Sequence, residues 1–201
     1  MPTGTALRDA RAQLFDAAER ILLRDGPNAL TSRAVTTEAG CAKGVLHRHF
    51  ADFDAFLTEL VLDRIARIEA QAAGLRAAAG TGTVTGNLTE ALTEVFGTVA
   101  VAIVALITFR DDLRARLRRT RPHGVPVASE ATAMIASYLA AEQELGRIAA
   151  TADVDTLTLA LTGAAHLLSA ERHGTPPEAE AVRKLVTTVL GGVLRDPPEL
   201  V

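Results

Sequence analysis

Cysteine occurs once in the 201 residues and tryptophan is absent. A single thiol, Cys41, excludes an intramolecular disulfide, so packing alone must hold the fold, and this usage fits a reducing compartment. Aromatic residues make up only 3% of the chain, which makes the core aliphatic. Also missing are a Walker-type glycine loop, GxGxxG, HExxH, CxxC and any paired nucleophile and base. The sequence therefore gives no catalytic site, no metal site and no cofactor to expect. His166, Glu171 and His173 are a tempting polar group, but offsets of five and two do not bring all three to one helical face. Long apolar runs are lacking too. The most apolar stretch, Val95 to Phe109, is short for a membrane span and contains Gly97, Thr98 and Thr108. The start, MPTGTALRDA, lacks the charged-then-apolar order of a signal segment. A soluble, cytoplasmic protein with no membrane partner is the expectation.

What is present is Ala, Leu and Val in abundance. The chain is 48% hydrophobic, enough for a sizeable core, and helical spacings dominate over strand-like alternation, so it reads as all-α. The net charge of −3 is unevenly spread. Residues 1–50 hold 7 Lys and Arg against 5 Asp and Glu, a balance of +2, and the remaining 14 against 19 give −5. A slightly basic head on an acidic body suits a nucleic-acid reader with a separate regulatory part.

The head centres on TSRAVTTEAGCAKGVLHRHF, residues 31–50. Thr31 predicts an N-cap, Ala34, Val35 and Ala39 an apolar side, and Gly40 a stop. A second short helix restarts near Ala42. Leu46 and Phe50 are four apart and peg it to a core, while Lys43 with His47, and Gly44 with Arg48, lie towards the opposite side. That side carries cations and no carboxylate, which suits a DNA major groove, and Gly44 would admit close backbone approach. An ordinary surface helix–turn–helix fits the same pattern. Cys41 in the turn reads as a small residue there, with redox sensing as the alternative.

With LFDAAERILLRDG at 14–26 and ALTSRAVTTEAG at 29–40 before a short helix ending in His-Phe and a long fourth helix, the run from about Arg8 to Leu62 resembles the N-terminal domain of TetR-family transcriptional regulators. The resemblance implies a dimeric, ligand-responsive repressor on a palindromic double-stranded DNA operator. It implies a three-helix DNA-binding domain, residues 1–51, and a helical ligand-binding and dimerisation domain, residues 52–201, with about nine helices in total and the last two long helices forming the homodimer. Thr31, Arg33, Lys43, Gly44, Val45, His47, Arg48 and His49 are the expected DNA contacts. His47 and His49 stand where the family usually has Tyr, and Phe53 where it usually has a phosphate-contacting Lys. The two imidazoles leave pH-sensitive binding open. A helical small-molecule-binding or enzymatic bundle that no longer reads DNA is the competing class.

Further along, helix one is expected over about Leu7 to Asp25, with Arg8 and Arg11 either reaching the DNA backbone or solvated. Helices are predicted from Phe53 to about Ala79, Asn87 to Phe109, Val127 to Leu145, Thr156 to about His173 and Glu178 to about Leu194. Asp52 and Asp153 or Asp155 are the expected caps. RDDLRARLRRTR, residues 110–121, reads as a short solvated helix with charges paired within the run. Phe96, Ile103, Phe109, Met134, Tyr138 and His166 are the expected walls of a pocket for a small, largely apolar effector.

Overall fold

The computed structural model describes residues 4–97, 99–122, 124–170 and 177–195, with side chains from residue 10 onward. The chain is all-α, with no β-strand among the described residues. The helices are α1 (Gly4–Asp25), α2 (Ser32–Glu38), α3 (Gly44–His49), α4 (Phe53–Ala77), α5 (Val84–Phe96), α6 (Ala100–Phe109), α7 (Asp111–Arg118), α8 (Ala128–Glu144), α9 (Val154–Ala170) and α10 (Ala179–Leu190). Among the described residues ten α-helices stand where about nine were expected, because the predicted helix over 87–109 is two. Apolar residues recur at helical spacing on both sides of Gly97 and hide the stop there, where the Gly97 N–H closes the last turn of α5 on the Thr93 carbonyl.

Two compact units form, residues 1–64 with 102–126 and residues 65–101 with 127–201. The first therefore runs past the expected boundary at 51/52 and takes in a later segment of chain.

In the first unit α1 packs on α2 and α2 on α3. Leu14, Ala17, Ala18, Ile21 and Leu22 bury one stripe of α1. Phe15 joins a cluster with Phe50 (5.8 Å between ring centroids) and Phe56 (5.6 Å), and Phe53 stacks on Phe56. Four of the six phenylalanines thus cluster in the first unit, under α3 and the start of α4.

The second unit has a core of Leu75, Val84, Leu88, Leu92, Val95, Ile135, Leu139, Leu161, Val182, Val186 and Leu190, packed by α5, α8, α9 and α10. Asp153 caps α9 through the Thr156 N–H at 3.1 Å. Glu142 is fully buried. It accepts from the Gly80 N–H at 3.3 Å and from the Tyr138 hydroxyl, and lies 3.4 Å from Arg147. Tyr138 accepts in turn from Asn87 Nδ2 at 2.9 Å. Burial, with the Glu142 carboxylate, pushes the phenol above its ordinary range.

Among the described residues, no single helix is long and apolar enough to cross a membrane.

Candidate nucleic-acid interface

Three local signals build the reading head. Thr31 Oγ1 accepts from the Ala34 N–H at 3.1 Å and starts α2. Gly40 turns the chain at φ 65, a conformation that favours glycine. Asp52 Oδ1 then accepts from the Ala55 N–H at 2.6 Å and starts α4. Between them α3 is pinned by Leu46, fully buried, and Phe50, 3% exposed. Both predicted pegs therefore face inward.

The outward side carries Lys43, Gly44, His47 and Arg48, all exposed, with Thr31 and Arg33 exposed on α2 and its cap. Val45 and His49 are half-buried, and the His49 ring lies against Phe50 at 6.4 Å. Among the described residues, no carboxylate pairs with Arg33, Lys43, His47 or Arg48. A Cβ added at Gly44 would meet nothing within 4 Å, so the surface is open there. The one acid of α2, Glu38, is bound to Arg20 at 2.9 Å and Arg24 at 3.1 Å on α1, which hold its carboxyl below the usual range. Cys41 is half-buried in the turn.

Arg11 departs from both expected roles. Its guanidinium lies over the Phe50 ring at 4.6 Å and pairs with Glu59, so it braces the aromatic cluster. The side chain of Arg8 lies outside the described residues.

The charge run also departs from expectation. Leu113 and Leu117 bury one face of α7, and Arg114 pairs inside the run, with Asp111. Arg116 reaches Asp52 at 3.3 Å, and Arg110 reaches the Leu30 carbonyl at 3.2 Å and Asp54 at 4.0 Å. Sequence reasoning missed these partners because they lie 64 and 80 residues away in the chain.

The Ala55 N–H, and after it Arg116, hold the Asp52 carboxyl below the ordinary carboxylate range. A carboxyl depressed on folding stabilises the fold above its unfolded value, and that contribution is lost as pH falls through the folded one. Protection of the Phe53–Phe56 amides, taken relative to their intrinsic exchange rates, should therefore fall on acidification below about pH 4, and Asp52→Asn should remove that fall.

The six expected pocket residues are divided between the two units. Phe96, Met134 and Tyr138 are core residues of the second unit, and His166 sets its ring edge-on to Phe96 at 6.3 Å. Ile103 and Phe109 belong to the first unit, Ile103 buried and Phe109 76% exposed. None of the six lines the cleft of about 270 Å³ that lies along α4 and α5, which is bounded by Gln71, Gly74, Leu75, Asn87, Glu90 and Glu94 among others. Among the described residues, no three His, Cys, Asp or Glu side chains are grouped to hold a metal. Glu171 and His173 lie outside the described residues.

The sequence model described as bacterial regulatory proteins, tetR family, matches residues 14–60. No curated relative matches the chain. Solved structures of the same fold include a TetR-family transcriptional regulator from Agrobacterium tumefaciens (TM-score 0.72, 14% identity, 94% of this chain and 100% of that one). Another is the transcriptional regulator FadR from Bacillus subtilis in complex with stearoyl-CoA (0.65, 15%, 90% and 98%). A third is a transcriptional regulator from Saccharomonospora viridis in complex with choline (0.68, 15%, 94% and 100%). Identities this low speak for the fold, whereas the matched segment spans the second half of α1, α2, α3 and the start of α4. That segment matches the tetR family of bacterial regulatory proteins, and the solved structures share the fold of the chain around it.

Proposed function

We propose that the protein is a cytoplasmic repressor that binds a palindromic operator as a homodimer and is released by a small, largely apolar effector. The observation that carries this reading is α3, buried through Leu46 and Phe50, with Lys43, Gly44, His47 and Arg48 exposed and unopposed. Lys43, Gly44, Val45 and Arg48 approach base edges. Thr31, Arg33 and the imidazoles of His47 and His49 contact phosphates. Two copies of α3 then enter successive major grooves about 34–36 Å apart.

Dimerisation through α9 and α10 is supported by Leu159 and Leu167, 71% and 64% exposed on one side of α9, with Gly163 open between them. The effector belongs to the second unit, whose interior is aliphatic. The FadR and Saccharomonospora proteins, crystallised with stearoyl-CoA and choline, support a small-molecule role for this fold. Release requires tighter effector binding to the state that does not fit DNA.

A salt series on a duplex selected from a random pool tests the reading. The wild-type protein should protect one palindrome, with affinity falling steeply as salt rises. Lys43→Ala and Arg48→Ala should each flatten the log–log salt slope by about 1 if they meet phosphate, or cost about 1–3 kcal/mol at one base position if they read bases. Selection of no duplex by the wild type would reject DNA reading in favour of a small-molecule-binding bundle. A compound that raises the melting temperature and dissociates the complex would identify the effector, and compounds all strongly charged would contradict its apolar character.

A further inference from the structure

We infer that Arg110 and Arg116 are positioning residues that hold the helix–turn–helix from its two ends. The inference deepens the DNA-reading proposal and rests on it for its functional meaning. Leu113 lies three residues from each arginine, and Leu113 and Leu117 are fully buried, so α7 is fixed by its apolar face and the arginines project from its flanks. Arg110 Nη2 donates to the Leu30 carbonyl at 3.2 Å, one residue ahead of the cap of α2. The same guanidinium lies 4.0 Å from Asp54 and 5.6 Å over the Phe53 ring. Arg116 engages both oxygens of Asp52, at 3.3 and 3.4 Å. That carboxylate caps α4 immediately after α3 ends.

The contacts bracket α2 and α3. One fixes the peptide that leads in and the others fix the peptide that leads out. A second effect is electrostatic. Asp52 and Asp54 are the carboxylates that follow the cations of α3 in the chain, and left bare they would repel a phosphate backbone. The two arginines neutralise them. All these residues lie in the first compact unit, although 102–126 is joined at both ends to chain of the second. Arg114, whose contacts are Asp111 and the Thr108 carbonyl, has no part in the bracket and serves as the internal control.

The test is amide exchange on the full chain without DNA, followed by binding to the duplex that the wild type selects. In Arg110→Met with Arg116→Gln, exchange over 31–38 and 53–58 should rise on the order of tenfold, as two weak ion-pair contacts are lost. Arg116→Lys, which keeps the charge, should stay near wild type, and so should Arg114→Gln. Asp52→Asn keeps a good cap but not the charge, so it should reproduce Arg116→Gln, and the two together should add little more. The double arginine variant should also bind the selected duplex more weakly, with helix content unchanged. Unaltered exchange in that variant, an equal rise in Arg114→Gln, or independent additive effects of Asp52→Asn and Arg116→Gln would each overturn the inference. If the exchange pattern holds and the wild type selects no duplex, the bracket stands and the DNA-reading proposal fails.

Discussion

Glu142→Gln should destabilise the second unit by about 3 kcal/mol, the lower end of what removing one partner of a buried ion pair costs. The side chain has no solvent exposure, and Arg147, its counter-charge, is 11% exposed. Two donors converge on the carboxylate, the Gly80 N–H and the Tyr138 hydroxyl. An amide offers one oxygen to accept them and turns two hydrogens towards a guanidinium. Arg147 retains the Gly82 and Thr81 carbonyls, at 2.8 and 3.4 Å, which keeps the loss at the lower end of the range. For a chain of this length the melting temperature should fall by roughly 6–12 °C. Tyr138→Phe removes only the hydroxyl and should cost about 1 kcal/mol. Its partner Asn87 Nδ2 keeps the Thr81 carbonyl at 3.0 Å. With no tryptophan and a single tyrosine, the emission of Tyr138 reports unfolding of the second unit by itself in a urea titration. An unchanged midpoint for Glu142→Gln would show that the carboxylate is dispensable.

Glu142 also marks the limit of what the sequence reveals. In AAEQE it reads as one of two acids near a helix end, and only the loop at 80–82 folding over it makes it buried. Caps and stops were legible because their chemistry is local. Thr31, Asp52 and Asp153 accept from the first turns they precede, and Gly26, Gly40 and Gly146 adopt φ of 77, 65 and 74. The facing of α3 was legible from two apolar residues four apart. Gly97 was not, because it ends α5 at φ −73, where any residue can sit, within a stretch whose apolar spacing continues on both sides. The burial of Phe96 and Tyr138 in the core was illegible for a different reason. In a chain with so few aromatics, Phe96 and Tyr138 look functional, yet a large side chain is what an aliphatic core uses to fill its widest gaps. The partners of Arg110 and Arg116 were illegible because contacts across 80 and 64 residues are decided by the packing of Leu113 and Leu117.

Leu159→Glu with Leu167→Glu should convert the proposed dimer to monomers and lower operator affinity by on the order of a hundredfold or more, the loss expected when two linked sites become independent. In the single chain both leucines face outward, so the substitutions remove no contact from the core and each copy should fold with unchanged helix content. They are eight residues apart, two helical turns, with exposed Gly163 midway, where an added Cβ would meet nothing. A glycine flanked by two leucines lets a second helix approach closely and gives it apolar side chains to cover. A two-fold pairing of this stripe with its own copy would bury all four leucines, and each is worth about 1.5–3 kcal/mol against exposure. Glutamate there puts like charges across the axis as well as losing the burial. Sedimentation velocity reads the first effect and the selected duplex the second. A variant that remains dimeric would place the interface elsewhere. A variant that is monomeric yet binds the palindrome at wild-type affinity would show that one reading head suffices, which six or so phosphate and base contacts from a single α3 could not provide at physiological salt.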